Sequence, residues 1–111
     1  MSPDQKARVG ENEAIFRDVN ETVASVATAR SGPGPILFLC ECADEFCSAS
    51  IPLSTQEYER VRAVSEHFAV TPEHVVPEVE RVVEKHRHYW VVEKLGEAAD
   101  IAEETDPRSH E

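Results

Sequence analysis

Residues 36–53 read ILFLCECADEFCSASIPL, and this stretch decides how the surrounding chain folds. The apolar run 36–40 and the shorter run 50–53 each have the length of a β-strand, with turn-forming residues on either side. Two such strands joined by a loop form a hairpin, and all three cysteines of the chain, within residues 40–47, fall at its closed end. The sequence therefore predicts a cysteine knuckle, a hairpin whose thiols converge.

The C-x-C-x4-C spacing of these cysteines suits a metal ion. Residues i and i+2 of a strand share a face, so Cys40 and Cys42 can present both sulfur atoms to one point. The four residues that follow let the chain turn and return Cys47. Zinc takes four tetrahedral ligands, with sulfur at about 2.3 Å and imidazole nitrogen at about 2.0–2.1 Å. Three thiolates leave one position open, and a histidine is its natural occupant.

We predict His74 as the fourth ligand. It lies between Pro72 and Pro77, in a stiff turn just after a predicted strand, where little chain entropy opposes its placement beside the knuckle. The other four histidines are predicted at the end of the second helix, on either side of a hairpin turn and in the C-terminal tail: His67, His86, His88 and His110.

The three thiols also allow two interpretations without a metal. Free cysteine is among the most buried residue types, so the thiols could be inert core side chains. Alternatively, Cys40 and either Cys42 or Cys47 could cycle between dithiol and disulfide in a redox protein. An odd number of cysteines, with no export signal, argues against a structural disulfide framework. Three clustered thiols flanked by acids fit metal binding best.

A zinc ion with an open fourth position would be catalytic, and would require a carboxylate base and a pocket. Glu41, Asp44 and Glu45 are the nearest acids in the sequence, but acids beside a knuckle normally form a solvated rim. The chain contains none of the common motifs of hydrolases, phosphate-binding loops or dinucleotide-binding folds. The sequence therefore predicts that the protein is not an enzyme.

Composition limits the partners. The chain has 111 residues, 22 of them acidic and 11 basic, for a net charge of −11. Such a surface repels phosphate backbones and anionic lipids, so we expect neither nucleic-acid nor membrane binding, and any physiological partner should be a protein with a basic surface. The first ten residues carry no hydrophobic signal core, which predicts a cytoplasmic protein. Like charges oppose self-association, so we expect a monomer or weak dimer.

The remaining chain predicts a single α+β domain over residues 11–104, with a small antiparallel sheet flanked by helices. Residues 1–10 are expected to be a flexible N-terminus, because Gly10 weakens any helix that extends further back. A helix follows over residues 11–30, and residues 31–35 form a Gly/Pro connection. The apolar side chains of this helix repeat at helical spacing and are expected to face the core: Ile15, Val19, Val23, Val26 and Ala27.

Beyond the knuckle, Ser54 and Glu57 form a capping box that starts a short helix. Residues 68–71 are a predicted strand. Residues 79–85 match both helical and strand patterns, and we predict a strand there, paired as a hairpin with residues 88–94. A short acidic helix over 97–104 and a disordered tail over 105–111 complete the prediction.

The sequence resembles one family along nearly its whole length. The blocks that carry the resemblance are RVGENEAIFRDVNE, FLCECADEFC, IPLSTQEYERVR, HFAVTPEH, YWVVEK and EAADIAEETDPR. They are similar to blocks of small, uncharacterised actinobacterial proteins with a C-x-C-x4-C knuckle and a downstream histidine. The resemblance implies a single intracellular domain and a histidine ligand at His74. A glycine commonly precedes that histidine in the family, where this chain has Glu73.

The function predicted from the sequence is therefore a small acidic protein with a structural zinc ion, acting as an interaction or regulatory module. Two alternatives remain open. One is a thiol redox sensor that uses the clustered cysteines, and the other is a minor metalloenzyme with an open zinc position.

Overall fold

The computed structural model describes residues 2–30, 34–42, 44 and 46–108, and within these residues the chain is α+β, as predicted. Three helices and five strands follow one another along the chain: α1 (Pro3–Arg30), β1 (Ile36–Leu39), β2 (Ser50–Leu53), α2 (Thr55–Arg62), β3 (His67–Val70), β4 (Glu80–Lys85), β5 (Trp90–Lys94) and α3 (Gly96–Glu104). The predicted connection over 31–35 lies largely outside the described residues.

The strands form two antiparallel sheets, where the sequence predicts one. β1 pairs with β2, with Phe38 opposite Ile51, which confirms the predicted knuckle hairpin. The second sheet has the order β3-β5-β4, so β5 is its central strand. The segment that matched both helix and strand patterns forms β4, and the predicted hairpin with β5 is confirmed, with Val82 opposite Val92.

Helix α2 begins at the predicted capping box and closes one side of the core. The Ser54 hydroxyl accepts a hydrogen bond from the Glu57 amide at 3.1 Å, and the Glu57 carboxylate accepts one from the Ser54 amide at 2.9 Å. The helix carries Tyr58, which is fully buried and stacks on Phe38 with ring centroids 4.5 Å apart. This aromatic pair is the centre of the core between α2 and the hairpin.

Helix α1 begins at Pro3 rather than at residue 11, and it runs through Gly10 without interruption. The prediction that the helix begins after Gly10 is wrong, and the glycine lies where α1 packs against α3. A Cβ atom at Gly10 would lie 3.3 Å from Cδ1 of Ile101. The glycine therefore permits close packing of the two helices.

The expected core-facing stripe of α1 is confirmed at Ala27, which is buried, and at Val23, which packs against the core, but it is wrong at the other three positions. Ile15, Val19 and Val26 are 59%, 43% and 49% exposed. The buried side of the helix is the opposite one, and it consists of small and polar residues: Glu13, Ala14, Arg17, Asn20, Ala24 and Ala27. We call Ile15, Val19 and Val26 the exposed α1 face.

Contacts made by Arg17 explain part of this reversal. Its guanidinium donates hydrogen bonds to the backbone carbonyls of Ser65 and Ala102, at 3.0 and 3.1 Å, and lies over the ring of Phe68. A buried polar side chain is tolerated when it is hydrogen-bonded in this way. The helix consequently docks through its polar side.

The beginning of the predicted disordered tail is fixed to the fold. Asp106 is 2% exposed, and its carboxylate pairs with the buried guanidinium of Arg62. Arg108 forms ion pairs with Glu21 of α1 and Glu59 of α2. The tail prediction is therefore wrong for residues 106–108, while residues 109–111 lie outside the described part of the chain.

Candidate metal centre

The structure brings Cys40, Cys42, Cys47 and His74 together. One ligand atom from each residue lies within 4.8 Å of the ligand atoms of the other three. Cys40 directly follows β1, and its amide donates to the carbonyl of Ala49 at 3.0 Å, which continues the hairpin pairing past the end of the strand. The hairpin thereby delivers the three sulfur atoms, as its spacing predicts.

His74 completes the group from the loop that follows β3. Its Nδ1 atom lies 3.6 Å from Sγ of both Cys40 and Cys47. Two hydrogen bonds fix the start of this loop: the His74 amide donates to the Thr71 carbonyl at 2.9 Å, and the Thr71 amide donates to Sγ of Cys40 at 3.1 Å. Nδ1 is therefore the ring nitrogen that is placed to bind a metal.

Two of the distances between these atoms have the values of a tetrahedral zinc site. Zinc bonds of about 2.3 Å to sulfur and about 2.05 Å to nitrogen, at the tetrahedral angle, separate the sulfur from the nitrogen by about 3.6 Å. Both Nδ1–Sγ distances of His74 have this value. The four residues are consequently positioned to bind one metal ion.

The thiols are already arranged for partial ionisation. The Cys42 thiol donates a hydrogen bond to Cys40, and together with the Thr71 amide it lowers the pKa of Cys40 to about 4. The same bond raises the pKa of Cys42, because the proton stays between the two sulfur atoms. A bound cation would replace this proton, so metal binding releases it.

Access to the centre is from one side. Cys40 and Cys42 are 2% and 4% exposed, whereas Cys47 and His74 remain partly accessible to solvent. A small cavity of ≈ 220 Å³ opens beside the centre, lined by Cys42, Asp44, Glu73, His74, Val75 and Val76. A metal ion therefore has an entry path.

Glu41 differs most from its prediction. The sequence places it on a solvated rim, yet it is completely buried. Its carboxylate accepts three hydrogen bonds, from Asn20 Nδ2 at 2.9 Å, the Tyr58 hydroxyl at 3.0 Å and the Ala69 amide at 2.9 Å. Burial raises the pKa of Glu41, and these donors oppose the rise. The alternation of an extended chain was the available signal, because the residue between two cysteines on one face must point to the other.

The other described rim and histidine residues are not part of the Cys3His cluster. Asp44 is exposed and its carboxylate accepts the Phe46 amide at 2.9 Å, while Glu45 and His110 lie outside the described residues. His67 begins β3 and bonds Glu93, so its predicted place at the end of the second helix is wrong. The last two histidines flank the β4–β5 turn, as predicted, and are His86 and His88.

Backbone strain at Glu73 accompanies the placement of His74. Glu73 has φ of 74°, in the left-handed region that favours glycine. We expect Glu73→Gly to raise the free energy of unfolding by about 1 kcal/mol, because the substitution removes a Cβ conflict. Urea unfolding measures this change, and Glu78→Gly on the same loop is the control. If both substitutions changed the free energy of unfolding equally, backbone strain at Glu73 would be contradicted.

Comparisons with protein-family models, with curated proteins and with solved structures find no match to this chain. The resemblance to the actinobacterial family therefore stays a prediction. Among the described residues, no helix combines the length and the apolar character needed to cross a membrane. Fold and site together define a small acidic α+β protein with a clustered Cys3His set.

Proposed function

We propose that the protein binds one zinc ion through Cys40, Cys42, Cys47 and His74, and that this ion is structural. The two Nδ1–Sγ distances of 3.6 Å are the observation that carries the proposal. Thiolate and imidazole ligands in a tetrahedral set suit zinc, whereas carboxylate and carbonyl oxygens would suit magnesium or calcium. Three thiolates, a neutral imidazole and Zn²⁺ leave one net negative charge, which a partly exposed site tolerates.

A closed structural site is favoured over a catalytic one. Four protein side chains supply all the positions of a tetrahedral ion, which leaves none for water. The carboxylate nearest in sequence, that of Glu41, points into the core, where its oxygens accept three internal hydrogen bonds. It is therefore not available as a general base.

The zinc proposal is tested by metal analysis of protein purified without chelator. We expect about one equivalent of zinc, and thiols that react with a disulfide reagent only after a strong chelator is added. His74→Ala should weaken zinc binding, while the control His67→Ala should not, because His67 lies in the Glu93 contact away from the cysteines. Metal-free protein with three reactive thiols would instead support the redox alternative.

We further propose that the zinc-stabilised fold serves as an interaction or regulatory module in the cytoplasm. The exposed α1 face offers apolar side chains although the helix is docked through its other side. The net charge of −11, with Glu11 and Asp18 exposed along the same helix, favours a protein partner with a basic surface. The same charge disfavours nucleic acid, anionic membranes and tight self-association, so the isolated protein is proposed to be a monomer or weak dimer.

A further inference from the structure

Two sets of contacts through buried polar side chains connect helix α1 with the segments that carry the candidate metal ligands. One set of contacts involves Asn20 and reaches the cysteine segment. The other begins at Glu13 and reaches the loop that carries His74. The two sets lie seven residues apart on the buried side of α1, which is two helical turns.

Asn20 fixes the backbone around Cys40. Its side-chain oxygen accepts the Leu39 amide at 2.8 Å, and its Nδ2 group donates to the Leu39 carbonyl at 2.9 Å. The same Nδ2 group donates to the carboxylate of Glu41 at 2.9 Å. Asn20 is completely buried. One side chain of α1 thus contacts the residues on either side of Cys40.

Glu80 fixes the loop that carries His74. One carboxylate oxygen of Glu80 accepts the Val76 amide at 3.1 Å, two residues beyond His74. The other oxygen pairs with the ammonium group of Lys94, which also pairs with Glu13 of α1. The three charged side chains are each at most 2% exposed. The Glu13–Lys94–Glu80 cluster therefore connects α1, β5 and β4 to the histidine loop.

We propose that Asn20 and Glu80 are positioning residues for the metal centre, so that the docking of α1 sets the metal affinity. This inference rests on the proposed zinc site. Asn20 holds the segment of Cys40 and Cys42, and Glu80, oriented by Lys94 and Glu13, holds His74.

The energetics of burial favour a positioning role over a purely stabilising one. Replacing a buried ion cluster by apolar side chains of similar volume is often neutral or stabilising. A gain in stability alone therefore does not explain the presence of the Glu13–Lys94–Glu80 cluster. Metal ligands, in contrast, must be held within about 0.5 Å of their working geometry by groups around them. The carboxylates of Glu13 and Glu80 share the one ammonium group of Lys94, so the cluster has an excess of negative charge. Burial raises the pKa of Glu80 to about 7.

Glu80→Ala tests the histidine half. The substitution leaves Lys94 paired with Glu13, so we expect the variant to remain folded. We expect zinc affinity, measured by chelator competition, to fall about tenfold or more, as is typical when a supporting partner of a metal ligand is lost. In Co²⁺-substituted protein, the visible absorption should shift toward that of His74→Ala.

The double variant His74→Ala/Glu80→Ala separates positioning from general destabilisation. If Glu80 acts through His74, the double variant binds zinc as tightly as His74→Ala alone, because no ligand remains for Glu80 to position. If the double variant instead lost zinc affinity by the product of the two single fold-changes, the proposal would be overturned. Wild-type protein that binds no zinc would instead reject the metal site itself.

Asn20→Ala tests the cysteine half, with Ala14→Gly as the matched control. Ala14 lies on the same buried side of α1 and has no hydrogen-bonding side chain, and glycine there weakens the helix. We expect Asn20→Ala to lower zinc affinity about tenfold and Ala14→Gly to leave it unchanged. Equal losses in both would overturn the role of Asn20. If Asn20→Ala does not fold, the comparison of Glu80→Ala, His74→Ala and their double variant decides the proposal alone.

Discussion

Cys42→Ser is expected to lower the free energy of unfolding of the whole domain by several kcal/mol. Zinc-binding energy in small domains is folding energy, and a serine hydroxyl is a poor substitute for a thiolate ligand. Cys42 is 4% exposed and belongs to a core cluster with Phe68 and Val92, so the effect should extend beyond the loop. Urea or thermal unfolding of the zinc-loaded protein measures the loss.

Two controls identify the metal as the cause of this loss. Ser48→Ala changes an exposed residue of the same segment and should leave the stability within about 0.5 kcal/mol. A strong chelator should destabilise the wild type and leave the Cys42→Ser variant almost unaffected, because the variant has little zinc to lose. An unchanged melting temperature in Cys42→Ser would remove the structural-zinc proposal.

Glu41→Ala is expected to have an effect of comparable size, roughly 3–5 kcal/mol, for a different reason. The substitution leaves the Asn20 amide, the Tyr58 hydroxyl and the Ala69 amide without their acceptor in the core. Each buried donor left unsatisfied costs about 1–3 kcal/mol. Denaturant unfolding at constant zinc concentration measures the total loss in the free energy of unfolding.

Asp44→Ala is the matched control, because Asp44 is an exposed acid only three residues away. Its loss should cost little, since its carboxylate lies at the surface, where it accepts a hydrogen bond from the neighbouring Phe46 amide. Tyr58→Phe removes one of the three donors, so combining it with Glu41→Ala should cost less than the sum of the two single losses. A Glu41→Ala variant as stable as Asp44→Ala would show that the buried network contributes nothing.

Features that depend on neighbouring residues could be predicted from the sequence. The C-x-C-x4-C spacing, the two short apolar runs and the capping box of Ser54 each concern residues within one turn or one hairpin, and the structure contains all of them. The stiff turn and the family resemblance both predict His74 as a ligand, and the structure brings it beside the cysteines. Local chain geometry therefore accounts for the three cysteines, whereas long-range contacts of the loop after β3 bring His74 to them.

What only the tertiary structure decided is the side of α1 that is buried. Helical periodicity identifies an apolar side, but it does not show whether distant partners will satisfy the polar one. Arg17 binds the carbonyl of Ala102, 85 residues away, and Asn20 binds Leu39, so the polar side docks and the exposed α1 face stays in solvent. The burial of Glu41 and Asp106 has the same origin. Hydrogen-bond partners that are remote in sequence exist only once the chain is folded, and they outweigh the local pattern.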